Sequence, residues 1–339
     1  MRRCIVVGVA VVLPPLSAQL CREDCTSPDK VCICAFGSEP GGAESARPSV
    51  MRLGSFEREL GEVRTALEPG DQVVGLGALE LACPRGSRIT VAGPYSLVVL
   101  PGAGQDCAFN LLRGTVHVLG EQATRIESGL VVMGSKRTHY GVAQQRRTGE
   151  APRTQVFVYE GEALCRPDPE SAARTVRAGS KVQVGLAVWQ RSDLDHRDME
   201  QTAGTLAWMD LAKARGAGLP PENAGLRYEQ LRDLYLRILN NPKDVQSRLQ
   251  LARTQVTLRI PRGALYQLDR AEAVLAAQDP RIASVAAARG EAYQAMGDPE
   301  RARREFQRAV RINPDVLDPA TRRRYRLEAE RAPRLRPPD

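Results

Sequence analysis

The 339-residue sequence lacks several residue types and patterns on which enzymes and membrane proteins depend. Only 4% of its residues are aromatic, and only three are histidine. With so few aromatic side chains, the hydrophobic cores must be filled mainly by Leu, Val, Ile and Ala. Beyond the N-terminal segment, no apolar run approaches the roughly 20 residues that a membrane-spanning helix needs. The sequence therefore predicts globular domains with aliphatic cores and no transmembrane span beyond a secretion signal.

The sequence also lacks the residue clusters that support catalysis or cofactor binding. Its three histidines, His117, His139 and His196, do not have the spacing of metal ligands. Gly75 and Gly77 lack the third glycine of a dinucleotide-binding loop, and the sequence has no phosphate-binding loop or nucleophile elbow. Acidic residues are scattered over turns and helix surfaces. We therefore predict a protein that is not an enzyme and has no catalytic residue, metal site or cofactor.

The formal charge of +8 comes from 48 basic and 40 acidic residues and is unevenly distributed. Residues 226–339 contain 23 basic and 15 acidic residues, whereas residues 1–225 contain 25 of each. A basic domain can indicate a nucleic-acid or acidic-lipid partner. However, only five of the basic residues are lysine, and such an arginine bias is typical of GC-rich coding sequences. We interpret the excess charge as a solvated surface, with an anionic partner as the alternative, and we do not expect a nucleic-acid partner.

The N-terminus has the pattern of a secretion signal. Two arginines precede an apolar run at 4–13, which two prolines and a stretch of small residues follow. This predicts a signal peptide at 1–18 and an exported protein of the periplasm or cell envelope. Two alternatives are a cytosolic chain that begins with an apolar strand and a lipoprotein attached through Cys21. Leu20 disfavours the second, because lipid attachment prefers a small residue at that position.

Seven cysteines follow the predicted signal peptide, and four of them lie in a Cys-rich linker predicted at 19–50. Cysteines in exported proteins usually form disulfides, and the Cys-x-Cys spacing within the linker does not suit zinc. Two further cysteines lie in strand-like surroundings and are candidates for one inter-strand bridge. Because seven is odd, one thiol stays free or pairs with another molecule. The disulfide candidates are Cys21, Cys25, Cys32, Cys34, Cys83 and Cys107.

From about residue 63 to 185 the sequence consists of short alternating runs separated by turn residues. Strands of four to six residues bounded by Gly and Pro indicate a β-sandwich or a coiled β-sheet, because no helix of ten or more residues separates them. Within this series, strands are expected to end at Gly93-Pro94 and to turn at Gly114. We predict a β domain at 51–185.

Three fragments of this region, 111–118, 156–163 and 176–184, resemble elements of the FecR-type periplasmic domain. Between the first two, Gly134-Ser135 stands where that family has Gly-Thr. The resemblance implies a sandwich-like fold that binds or senses in the envelope without catalysis. The signalling members of that family are anti-sigma regulators, with a cytoplasmic segment and a membrane span before this domain. This chain has neither, so we do not expect direct transcriptional signalling.

The C-terminal third resembles a tetratricopeptide (TPR) repeat, a 34-residue helix–turn–helix unit. The small residues of the pattern allow the two helices to cross closely, and its aromatic residues fill the space around them. Asp298-Pro299 is a helix start, and the proline that ends the pattern stops the second helix. The pattern is carried by Gly290, Tyr293, Gly297, Ala302, Phe306, Ala309 and Pro314.

A weaker copy of the repeat lies 38 residues upstream, and helices near 195–214 and 226–240 suggest one more hairpin. An Arg-rich helix at 319–332 is expected to cap the stack. We therefore predict a multidomain α and β protein, with an all-β sandwich-like (FecR-like) domain before an α-helical TPR-like hairpin stack at 226–335. Residues 186–225 are a helical linker or the first hairpin helix.

The TPR resemblance implies a concave groove that receives a protein or peptide and is lined by the first helix of each pair. The hypothesis is an envelope scaffold or assembly factor, and the alternative is a β domain that senses a small molecule or glycan. In a third hypothesis the N-terminal cysteines are thiol-active, and in a fourth the stack packs on the β domain and binds nothing. The expected groove residues are Gln246, Gln250, Arg253, Glu291 and Gln294.

Overall fold

The protein consists of a large, mainly antiparallel β-sheet followed by a stack of helical hairpins. The structure is a computed structural model. It describes residues 30–37, 48–52, 58–61, 65–84, 87–101, 107–120, 123–134, 138–145, 153–167, 171–185, 188–216, 224–325 and 327. The fold class predicted from the sequence is confirmed: strands come first, and helices that pair as TPR-like hairpins follow.

In the described part of the chain, sixteen strands form the sheet. The first eight are β1 (Val31–Gly37), β2 (Ser49–Met51), β3 (Arg58–Leu60), β4 (Ala66–Leu67), β5 (Gln72–Gly75), β6 (Ala78–Ala82), β7 (Arg88–Val99) and β8 (Cys107–Gly120). The others are β9 (Thr124–Glu127), β10 (Val131–Gly134), β11 (Thr138–Gln145), β12 (Arg153–Glu160), β13 (Glu162–Arg166), β14 (Arg174–Arg177), β15 (Ser180–Gly185) and β16 (Val188–Asp193).

Long strands β7 and β8 connect the two parts of the sheet. One path runs β14-β13-β10-β9-β8-β11-β12-β15-β16, and β7 pairs with β8 and also with β5 and β6. Every pair is antiparallel except β8 with β9. Because alternate side chains of each strand point to one face, the sheet folds around an aliphatic core that includes Ile33, Val118 and Val156, all fully buried.

One prediction about the strands β7 and β8 was wrong. The sequence suggested that a strand ends at Gly93-Pro94 and that the chain turns at Gly114, but both strands continue through these points. Their pairing register shifts between Ala92 and Ser96 instead, which is a β-bulge. Gly114 has a φ of 105°, and a Cβ there would lie 2.9 Å from the Cβ of Tyr95, so the bend requires glycine.

The sheet extends on both sides of the predicted β domain. Strand β1 lies within the segment 19–50, which the sequence analysis assigned to a linker, and it pairs with β4 and β6. At the other end, β16 follows residue 185 and pairs with β15. The segment 19–50 was assigned to a linker because of its cysteine spacing. The apolar residues of β1 nevertheless pack in the sheet, and Ile33 is fully buried.

Cys83 and Cys107 form a disulfide between the end of β6 and the start of β8, with their Cα atoms 5.8 Å apart. This is the inter-strand bridge that their strand-like surroundings suggested. Cys165, in β13, has a free thiol, and burial raises its pKa to about 12. The candidates Cys21 and Cys25 and the predicted signal peptide lie outside the described residues.

Seven helices follow the sheet in the described part of the chain. They are α1 (His196–Gly216), α2 (Ala224–Asn240), α3 (Val245–Thr257), α4 (Pro261–Glu272), α5 (Arg281–Ala295), α6 (Pro299–Ile312) and α7 (Pro319–Arg324). They pair as the hairpins α1–α2, α3–α4 and α5–α6. The last of the seven, α7, stops at Arg324 and is shorter than the predicted capping helix at 319–332. None of the helices in the described ranges is long and apolar enough to cross a bilayer.

The first hairpin packs directly on the sheet. Phe157 and Tyr159 of β12 share one hydrophobic core with Ala203 and Leu206 of α1, and this core continues into α2 and α3. A hydrogen bond of 2.6 Å joins the hydroxyl groups of Tyr159 and Thr202 inside this interface. The sheet therefore supports the helical stack through a continuous buried contact.

Candidate functional site: the exposed face of α3 and α5

Local sequence signals start the helices that carry the candidate site. The carboxylate of Asp244 accepts a hydrogen bond of 3.1 Å from the backbone N–H of Ser247, which caps α3. Asp298 caps α6 in the same way, accepting at 2.9 Å from the N–H of Arg301, and Pro299 occupies the first helical position. Side-chain caps of this kind satisfy N–H groups that a helix leaves without partners.

Close packing inside the hairpin α5–α6, which is the repeat recognised in the sequence at Gly290, fixes α5 against α6. A Cβ at Gly290 would lie 2.5 Å from the ring of Phe306, so the two helices approach each other at a position that only glycine permits. Ala302 and Ala309 are fully buried beside Phe306 in the same core. The other pattern residues lie at the edges: the guanidinium of Arg301 stacks 5.7 Å from the ring centre of Tyr293, Gly297 follows α5, and Pro314 follows α6.

The upstream repeat has the same construction. Ala252 of α3 packs with Ala264, Leu268 and Ala271 of α4, and all four are fully buried. Each of these four residues lies 38 positions before a core residue of the α5–α6 repeat. Those core residues are Gly290, Ala302, Phe306 and Ala309. Val285 and Ala288 of α5 join this core, so the two repeats stack on each other.

The predicted groove residues lie on the outer sides of the two first helices. Gln246, Gln250 and Arg253 are exposed on α3, where they recur at the spacing of one helix face. On α5, Glu291 is exposed and Gln294 is half-buried. We call the surface formed by these five residues the α3–α5 face.

Electrostatic interactions show that the charged residues of the α3–α5 face lie close together. Desolvation raises the pKa of Glu291, the positive charge of Arg253 opposes this, and the negative charge of Asp318 adds to it. Asp318 also caps α7, accepting hydrogen bonds from the N–H groups of Ala320 and Thr321. The face therefore presents one cation, Arg253, and one carboxylate, Glu291, and Asp318 at the start of α7 adds a second carboxylate at its edge.

Arg289 holds the hairpins together behind this face. Its guanidinium pairs at 2.6 Å with Asp269 and at 2.6 Å with Glu272 of α4, and lies 3.9 Å from Glu305 of α6. Burial alone would raise the pKa of Glu272, but hydrogen bonds from Arg308 and Arg289 keep it lowered. Arg289 occupies a position where the repeat pattern has leucine, and sequence reasoning did not assign it this role.

Buried polar groups attach α3 and α4 to the sheet. Arg248 of α3, whose side chain is 2% exposed, donates to Glu160 of β12 at 3.3 Å and to the side-chain oxygen of Gln267 at 2.9 Å. Arg270 of α4 pairs with the same glutamate. The sequence gives little sign of this contact, because it shows only an arginine at position 248 between Ser247 and Leu249, both of which are buried in the structure.

A second buried network connects the sheet to α1, α2 and α3. Asp210 of α1 accepts hydrogen bonds from Tyr235 of α2 at 2.7 Å and from Gln255 of α3 at 2.8 Å. Lys213, one turn further along α1, pairs with Glu80 of β6. Burial raises the pKa of Asp210, and the positive charge of Lys213 opposes this shift. Three helices and the sheet are thus fixed relative to one another.

Comparisons with known proteins identify one part of this arrangement. A tetratricopeptide repeat model matches residues 283–316, which cover α6 and all but the first two residues of α5. The match supports the TPR part of the predicted resemblance and a role in binding protein partners. No curated protein matches the chain.

Two solved structures of "a putative anti-sigma factor" from Parabacteroides distasonis ATCC 8503, at 1.65 Å and 2.50 Å resolution, are similar to part of the chain. Each is 10% identical to this sequence with a TM-score of 0.32, and each match covers 39% of this chain. The chain spans 63% and 62% of the length of these structures. A TM-score this low assigns neither fold nor function, and the FecR-type resemblance stays a prediction.

Proposed function

We propose that the protein is a non-enzymatic interaction scaffold or assembly factor of the cell envelope, and that its α3–α5 face binds a segment of a partner protein. The observation that supports this proposal is the placement of Arg253, Glu291 and Asp318 on one exposed surface of two stacked TPR-like hairpins. Opposite charges on such a surface select a partner by complementarity and orient it.

The side chains of the face suit an extended peptide. Gln246, Gln250 and Gln294 each carry an amide that both donates and accepts hydrogen bonds, which matches the alternating N–H and C=O groups of a peptide backbone. Arg253 favours an acidic side chain of the partner, and Glu291 favours a basic one. In this proposal the FecR-like β domain holds the helical stack in position.

Two further parts of the proposal come from the sequence. The charge and apolar pattern of residues 1–18 supports export to the periplasm or envelope. The sequence contains no recognisable nucleophile, acid–base pair or metal-ligand spacing, and the TPR match points to interaction rather than catalysis. The alternative, a module that binds a small molecule or glycan, is favoured by a separate cleft between the sheet and the helices α1 and α2.

Charge exchange on the α3–α5 face tests the proposal. The double variant Arg253→Glu/Glu291→Arg keeps the net charge and the attraction between the two positions but reverses the charges that a partner meets. Wild-type protein, this variant and the control Arg304→Gln are each used to capture proteins from native envelope fractions. Arg304 is exposed on α6 and makes no ion pair with a described residue.

We expect one or more proteins that wild type and the control capture equally to be depleted at least tenfold with the charge-exchange variant, while its melting temperature stays that of wild type. Identical captured sets for all three proteins would contradict the assignment of this face.

A further inference from the structure

A cleft of about 840 Å³ lies between the sheet and the helices α1 and α2, and it shares no residue with the α3–α5 face. The bulged part of β7 and β8 forms one wall, which includes Pro94 and Gly114. The opposite wall is one side of α1, completed by Tyr228 of α2. Binding sites for small molecules have volumes of about 300–1,000 Å³, so this cleft has the size of such a site.

The cleft is open at one end and closed at the other. Along α1, the lining residues change from exposed Arg197 and Gln201 through half-buried Thr205 to Trp208, which is buried. Trp208 packs with Ala35 and other residues of the sheet and closes the inner end. The cleft is therefore most exposed at Arg197, which we call its entrance, and is bounded by Trp208 further along α1.

The charge of the lining is positive. Arg113 of β8, Arg197 of α1 and Arg232 of α2 line the cleft, and Glu200 is the one acidic residue among the described lining residues. Arg113 and Arg197 form no ion pair with any residue in the described ranges. Arg232 lies 3.4 Å from Glu229, which is outside the cleft. Guanidinium groups recognise carboxylate and phosphate oxygens through paired hydrogen bonds.

Polar groups further inside the cleft provide hydrogen bonds. The side-chain oxygen of Gln144 already accepts hydrogen bonds from Thr154, at 2.7 Å, and from Ser128, which leaves its NH₂ group able to donate. His117 also lines the cleft, but it is 3% exposed, and its Nδ1 atom is buried beside Gly141 without a hydrogen-bond partner among the described residues. Thr115, Gln201 and Thr205 add further hydrogen-bond donors and acceptors to the lining.

We propose that this cleft binds a small organic anion that carries a carboxylate or phosphate group together with several hydroxyl groups. The arginines at the entrance receive the anionic group. The hydroxyl groups form hydrogen bonds with polar side chains of the lining, which include Gln144, Gln201 and Thr205. This is a binding function separate from partner capture by the helical repeats, and it does not depend on that proposal.

Isothermal titration of the full chain at low ionic strength tests the site with four probes: glucuronate, glucose 6-phosphate, inorganic phosphate and glucose. We expect at least one of the two organic anions to bind with a dissociation constant below about 1 mM, and inorganic phosphate and glucose to bind at least tenfold more weakly. The comparison of glucuronate with glucose 6-phosphate decides whether carboxylate or phosphate is preferred.

Three variants separate this site from non-specific attraction of anions. Arg113→Gln and Arg197→Gln should each weaken binding about tenfold or more, since each removes hydrogen bonds to a charged group. Thr205→Trp places a bulky ring in the cleft next to Trp208 without changing the charge of the lining, and it should weaken binding at least tenfold. Arg304→Gln, the matched control on α6, should bind as wild type does.

The proposal is overturned if neither organic anion binds with a dissociation constant below about 1 mM, or if inorganic phosphate binds as tightly as they do. It is also overturned if Thr205→Trp, with a wild-type circular dichroism spectrum, retains full affinity.

Discussion

Replacing Arg248 by alanine tests whether the sheet and the repeats unfold as one unit. Arg248 lies on α3 with only 2% of its side chain exposed. It donates twice to the backbone oxygen of Pro242, at 3.0 and 2.9 Å, once to Gln267 at 2.9 Å and once to Glu160 at 3.3 Å. The guanidinium therefore joins the loop before α3, helix α4 and strand β12 through hydrogen bonds.

The magnitude follows from the groups that the alanine variant leaves behind. Gln267 is 4% exposed, and its side-chain oxygen would lose its partner inside the protein, as would the oxygen of Pro242. A buried polar group left without a partner costs about 1–3 kcal/mol. Glu160 keeps Arg270 as a partner, which limits the loss at that carboxylate. We expect a total loss of about 3–5 kcal/mol, the range for breaking a buried ion pair.

Urea unfolding measures this loss with two probes. Circular dichroism reports the helices, and the fluorescence of the two tryptophans reports the sheet side, because Trp189 belongs to β16 and Trp208 packs on the sheet. The two transitions should coincide in wild type and shift together in Arg248→Ala. The control Arg253→Ala changes an exposed arginine of the same helix and should alter stability by no more than about 0.5 kcal/mol. A loss below about 1 kcal/mol for Arg248→Ala, or transitions that separate in wild type, would refute the reasoning.

Two other predictions concern buried groups. Burial lowers the pKa of His117 to about 4 and the pKa of His139 well below its ordinary value, with Arg248 and Arg270 also disfavouring the charged form of His139. The unfolded chain therefore takes up these protons first, so the free energy of unfolding falls as the pH drops below about 6.5, by up to about 1.4 kcal/mol per pH unit for each histidine. For His117 this loss ends near pH 4, its pKa in the folded protein. Urea midpoints measured across this range should show the slope, and His117→Gln/His139→Gln should flatten it; an unchanged slope would show that other groups cause it. Gly290→Ala should cost about 1–3 kcal/mol in the same assay, because its Cβ would lie 2.5 Å from Phe306, and adding Phe306→Leu should recover part of the loss.

Features set by local periodicity could be predicted from the sequence. The helices expected near 195–214 and 226–240 correspond to α1 and α2, because amphipathic spacing and proline boundaries depend on neighbouring residues in the chain. The repeat at Gly290 was recognisable because each of its small and aromatic positions has a fixed place in a helical hairpin. The alternation of apolar residues likewise indicated short antiparallel strands.

Features set by distant partners could not be predicted in this way. Gly93-Pro94 and Gly114 carry the usual signals of strand ends, and only the pairing of β7 with β8 converts them into a bulge within continuous strands. From the sequence alone, Arg248 would be assigned to the surface, because its partner Glu160 lies 88 positions earlier in the chain. The cleft is another case, because its arginines come from β8, α1 and α2, and no spacing in the sequence connects them.

The docking of the first hairpin on the sheet limits what the α3–α5 face can bind. In a stack of three repeats, the first helix of every repeat would line the groove, and α1 would be one of these helices. In this protein, residues of α1 pack on β12 or line the cleft instead. The face is therefore restricted to α3 and α5, with Asp318 at its end. Two helices packed about 10 Å apart span about 20 Å across the groove. An extended peptide advances about 3.3 Å per residue, so the bound segment of the partner should be about six residues long.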